Sequence, residues 1–141
     1  MKTKILLAMM AGLLITQTGC TTKVRSLPMP AAVQTQNTKD VPLYFGNQQH
    51  ANVKTKLGVK EVSVRVARTM DGQEATCEIA LNKALDQLRD YARDRHADAV
   101  INVTTRFQHN ESASSTEFTC GASNNGSTLA VRGDVVKFDV E

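Results

Sequence analysis

Between residues 74 and 97 the apolar side chains Cys77, Ala80, Leu81, Ala84, Leu85, Leu88, Tyr91 and Ala92 recur at i, i+3, i+4 and i+7. That spacing puts them on one face of an α-helix. No other stretch sustains this period, so the chain is built around one long helix that must lay its apolar face on something else. Asp71 stands three residues before Glu74, the spacing of a capping box, and is expected to accept from the first-turn amides. Asp86 and Asp90, each three residues ahead of Arg89 and Arg93, fall on the wet face, where such pairs contribute about 0.2–0.5 kcal/mol each.

The surface that receives the helix is expected to be a sheet. Val62, Val64 and Val66 alternate with Ser63, Arg65 and Ala67, which predicts a half-buried strand over residues 59–67. After the helix, Ala99, Ile101, Val103, Thr105 and Phe107 alternate with Val100, Asn102, Thr104 and Arg106, giving a second strand whose Ile101 set is expected to face the helix. Leu43-Tyr44-Phe45 reads as a short strand closed by the turn pair Gly46-Asn47. In residues 129–140 the apolar parity changes around Gly133, where a β-bulge is expected. Residues 109–127 are polar and read as a loop or a loosely paired excursion. The order is strand, strand, helix, strand, strand. This is a small single α+β domain with one helix on one face of a mainly antiparallel sheet, and 141 residues leave room for one core only.

Ahead of that domain, which is expected to span residues 41–141, the chain has a different character. Residues 1–19 carry Lys2 and Lys4, an apolar run over 5–15 and then small and polar residues, the layout of a secretory signal. A run of about eleven residues falls short of the roughly 20 that span a bilayer as a helix. Thr18-Gly19-Cys20 resembles the end of a bacterial lipobox, although Gln17 stands where Leu is usual. The resemblance implies lipidation of Cys20, membrane attachment through that lipid and, with Thr21 following, an outer-membrane destination facing the periplasm. Residues 21–40, rich in Thr, Gln, Ala and Asn with Pro28 and Pro30, show no period and read with Cys20 as a lipidated N-terminus and flexible tether (20–40). A coil of that length has a reach of about 25 Å. Loss of Lys2 and Lys4 with the leader lowers the formal charge from +3 by two, so the chain gives no reason to expect nucleic acid.

Once Cys20 is set aside, Cys77 and Cys120 form an even pair, which in an exported chain reads as a disulfide. Closing a loop of that length stabilises by roughly 4 kcal/mol on the chain-entropy estimate. A reactive thiol or a metal ligand is the alternative for Cys77. His50, His96 and His109 are not spaced with one another or with a cysteine as metal ligands are, so no metal or other cofactor is expected. Lys54, Lys56, Lys60, Arg65 and Arg68 make a basic run that suits either a solvated strand face or contact with lipid headgroups. No G-x-S-x-G, H-E-x-x-H or phosphate-binding glycine loop is present, and no catalytic residue is assigned.

Tyr44-Phe45-Gly46-Asn47-Gln48 with His50, the helix opening with Cys77, Ala99-Val100-Ile101-Asn102, Thr116-Glu117-Phe118 with Cys120, and Gly133-Asp134-Val135-Val136-Lys137 resemble a set of small proteobacterial envelope proteins. Those proteins often carry the label "excinuclease ATPase subunit" or another excinuclease-like label. The resemblance covers about residues 43–137. An ATPase of that kind needs a glycine loop with its Lys and Ser/Thr, and usually zinc-binding cysteine pairs, which this chain lacks. The fold reading also resembles small envelope lipoproteins with one helix on a short sheet, a stress sensor among them. The function expected is therefore that of a non-catalytic envelope lipoprotein, a binding or sensor module for a protein, cell-wall or lipid-headgroup partner. Tyr44, Phe45, Gly46, Asn47 and His50 are the candidate contact residues, because a Tyr-Phe pair before a polar turn can present a patch. The rival readings are a nucleic-acid or nucleotide protein, as the label suggests, and a small periplasmic hydrolase. The last would require Asp134 or Glu117 to meet His50 or His109.

Overall fold

The computed structural model describes residues 21–35 and 39–139. The chain runs β1 (Lys23–Pro28), α1 (Ala31–Gln34), β2 (Leu43–Phe45), β3 (Val53–Ala67), α2 (Gln73–Asp94), β4 (Ala99–Phe107), β5 (Asn110–Ser112), β6 (Glu117–Ala122) and β7 (Gly126–Phe138). All strands join one sheet of order β1-β6-β7-β4-β2, with β3 on the far side of β7 and β5 on β4. Every pairing is antiparallel except that of β2 with β4. The α+β class, with one main helix on a mainly antiparallel sheet, is as the periodicities predict.

Helix α2 buries Cys77, Ala80, Leu81, Ala84, Leu85, Leu88 and Ala92, the stripe that its spacing marks out, against β3 and β7. Its start differs from expectation. Gly72, at φ 99°, is the N-cap and no side chain caps the helix. The Thr76 hydroxyl instead donates to the Gly72 carbonyl at 2.7 Å and accepts from the Thr69 amide at 3.2 Å, so the link runs backward from the first turn. Asp71 takes no part in it. At the other end His96, at φ 54°, occupies the left-handed position after the cap. Its amide reaches the Arg93 carbonyl and the Ala97 amide the Ala92 carbonyl, the two bonds of a Schellman ending.

The tether expected over residues 20–40 is not what its described part forms. Residues 23–28 pair antiparallel with β6, from Lys23 against Ala122 to Pro28 against Glu117. Leu27, Met29 and Val33 join the main core. The polar stretch 109–127 likewise supplies two strands, and in β6 Phe118, Cys120 and Ala122 are all buried in the core. Residues 1–20, with the leader and Cys20, lie outside the described residues.

The bulge expected at Gly133 lies on the neighbouring strand. Pairing of β3 with β7 runs through Gly133 without interruption, whereas β4 places Ile101 against Asp134 and Thr104 against Arg132, one residue too many. Asn102, at φ 53°, sits in that bulge. Gly133 makes room for it, since a Cβ there would come to 2.4 Å from Val100 Cγ1. The bulge flips the side chains of β4, so Val100 and Val103 pack in the helix-side core while Ala99 and Ile101 point to the other face. The alternating set predicted to face the helix is therefore split in two. In β7 the parity change has another cause: Leu129, Val131 and Val135 belong to the helix side, and Val136 to a small second cluster on the opposite face.

Candidate functional site: an aromatic corner on the open face

That second cluster carries the site. Ala99, Ile101 and Val136 are buried beneath Tyr44 and Phe138, which are only partly covered. In the three-residue strand β2 the side chains alternate, so Leu43 and Phe45 enter the main core and Tyr44 stands on the open face. The chain then turns at Gly46, where φ is 57° and a Cβ would lie 2.2 Å from the Ala113 carbonyl oxygen, a place only glycine fits. Gln48 closes the turn by donating its amide to the Phe45 carbonyl at 3.1 Å and accepting the Phe45 amide on its side chain at 2.8 Å. This brings His50 back over the sheet. Its ring lies 5.6 Å from Tyr44 edge-on and 5.9 Å from Phe138 nearly parallel, and Tyr44 lies 6.2 Å from Phe138. Offset and edge-on contacts at such distances are the arrangements that ring quadrupoles favour.

The corner is held by backbone bonds on both sides. Phe138 donates its amide to the Asp98 carboxylate at 2.8 Å, and Asp139 donates to the Asn52 carbonyl at 2.7 Å. His50 Nδ1 lies 2.7 Å from the Ala51 carbonyl oxygen. A carbonyl can only accept, so Nδ1 carries a proton and, in the neutral ring, Nε2 presents its lone pair.

Of the five predicted contact residues, the structure brings Tyr44 and His50 together on this face. Phe45 is buried on the opposite side and is 4 % exposed, so it cannot contact a partner. Gly46 and Asn47 form the turn that returns the chain. Phe138, the third ring, is not among the predicted contacts, although its opposite parity to Leu129 and Val131 is the signal that assigns it to another face. The other histidines sit elsewhere, His96 behind α2 and His109 between β4 and β5. Among the described residues no three of His, Cys, Asp and Glu are grouped to hold a metal. Asp134 is engaged by Lys56 at 3.5 Å and by the Asn102 amide at 2.9 Å, and Glu117 accepts from the Ser26 hydroxyl.

The basic run disperses over both faces. Lys60 lies over the Tyr91 ring at 4.7 Å, on the helix side, and Arg95 covers the same ring at 3.6 Å. Arg68 donates to Asn124. Arg65 is exposed on the other face. Cys77 and Cys120 are joined as a fully buried disulfide with their Cα atoms 6.0 Å apart, tying the first turns of α2 to β6. Comparison with family models, with curated proteins and with solved structures finds no match to this chain.

Proposed function

We propose that this chain is a non-catalytic lipoprotein of the bacterial envelope, a binding or sensor module that meets its partner through the corner formed by Tyr44, His50 and Phe138. The observation that carries this reading is the buried Cys77–Cys120 disulfide, in a chain whose residues 1–19 have the layout of a secretory leader and end at a lipobox-like cysteine. A disulfide of that kind belongs to an oxidising compartment. Among the described residues no helix is long and apolar enough to cross a membrane, and attachment is assigned to a lipid on Cys20. The corner suits a protein or cell-wall partner, because it offers apolar ring faces beside one imidazole nitrogen.

Mass spectrometry of the protein taken from membranes without reduction tests the first half. The expected species lacks residues 1–19, carries acyl chains on Cys20 and keeps Cys77 bonded to Cys120. An intact leader with free thiols overturns the assignment. For the second half, a photo-crosslinker at position 44 or 50 in intact cells is expected to capture one discrete partner that a crosslinker at exposed Lys83 does not. Recovery of monomer alone from positions 44 and 50 counts against the corner as a contact surface.

A further inference from the structure

Strand β3 is long, and among the described residues it pairs with β7 alone, so its second edge is open. An open edge is a template for another strand, and its two halves treat that hazard differently. Over residues 53–58 the register is broken twice, between Val53 and Thr55 and between Lys56 and Gly58, and Lys54 and Lys56 stand there. Bulges and lysines are the usual devices that keep an edge from pairing. From 59 to 67 the register is unbroken, which leaves an unbulged, nine-residue edge whose middle residue is Ser63.

We propose that this edge pairs with the same edge of a second copy, antiparallel about a two-fold axis at Ser63. Charge decides the register. Two strands related by a two-fold axis pair residue i with residue j at a constant sum, and the choice of centre fixes every partner. Centring at Glu61 sets Glu61 against its own copy, and centring at Arg65 does the same for arginine. Centring at Val62 or Val64 leaves both charges facing uncharged side chains. Only Ser63 puts Glu61 of each copy opposite Arg65 of the other, with Val59, 42 % exposed, facing Ala67. Opposite charges directly across a strand pair stabilise it and like charges oppose it. Glu61 already accepts from Arg106 and stands across from Arg132 of its own chain, so in the dimer it has guanidinium groups on both sides. On the helix side the same register sets Val62 against Val64, continuing the core across the joint.

The test is disulfide trapping on the purified full-length chain in detergent with a mild added oxidant, in a Cys20→Ser background. It therefore stands apart from export and lipidation. In the proposed register the two Ser63 Cβ atoms lie about 4.5–5.5 Å apart. Ser63→Cys is thus expected to yield a linked dimer whose cross-linked peptide joins position 63 to itself. Copies of residue 65 lie four residues out of register, about 13 Å apart, so Arg65→Cys is expected to link at least about five-fold less. Adding Arg65→Glu to Ser63→Cys sets two carboxylates face to face twice and is expected to lower the yield by at least about five-fold. Both positions are exposed in the monomer, so loss of fold does not explain such changes. Monomer alone from Ser63→Cys, equal linking at positions 63 and 65, or indifference to Arg65→Glu overturns the proposal.

Discussion

Two residues hold backbone shapes that their neighbours demand. His96 takes φ 54° to close α2, a shape that is costly for a side chain with a Cβ and free for glycine. His96→Gly is therefore expected to raise unfolding stability by about 0.5–1 kcal/mol, read as a higher urea midpoint with unchanged slope. Gly46 is the reverse case. Gly46→Ala would force a Cβ into the Ala113 carbonyl as well as strain φ, and a loss of about 2–3 kcal/mol is expected in the same titration. The turn at Gly46-Asn47 was legible because such pairs advertise themselves. The cap was not: Asp71 and Glu74 have capping-box spacing, yet the positive φ at Gly72 points the chain elsewhere and Thr76 takes over. Spacing finds a candidate partner, but the direction of entry decides which side chain reaches.

At the scale of elements, the signals that worked were periodic ones. Helix α2 and the regular part of β3 each bury one face, and a single buried face writes a single period. Strand β4 defeated the same reasoning because one extra residue at Asn102 turns its later side chains over, so a clean alternation in sequence serves two faces in space. Strand β1 is invisible for a different reason. Only Leu27 of its six residues is buried, and what holds it is a ladder of backbone bonds to β6 that no side-chain pattern records. If residues 21–40 were a tether, Leu27→Ala would have no effect. With Leu27 5 % exposed within the core, a loss of about 2–3 kcal/mol is expected, measured by chemical denaturation. Replacing both Cys77 and Cys120 by Ala is expected to cost about 3–4 kcal/mol and to lower Tm accordingly. The pair ties α2 covalently to the β1–β6 side of the sheet, across 43 positions of the chain.

For the molecule as a whole, the lower domain boundary drawn from composition at residue 41 cuts through the fold. A chain starting there loses β1 and α1, uncovers the β6 edge and leaves the surfaces of Leu27, Met29 and Val33 unfilled. Its melting temperature is expected to fall by more than about 10 °C relative to a chain starting at residue 21, by differential scanning calorimetry. The candidate site was half legible in the same sense. Tyr44 and His50 are close in sequence and drew notice together, whereas Phe138 arrives from the far end of the chain and only the sheet unites them.

Because β1 begins at Lys23, three peptide steps separate it from Cys20, a span of at most about 11 Å. A lipid on that cysteine would hold the end of the body where β1 begins as a boat is held by the bow, on a short line. The aromatic corner lies at the other end of the sheet, since Lys23 pairs with Ala122 and Ala122 with Ser127 at the start of β7, whereas Phe138 ends that strand eleven residues on, roughly 36 Å away. A body moored at Cys20 would therefore present its rings to neighbours well clear of the leaflet while its other end stayed against it.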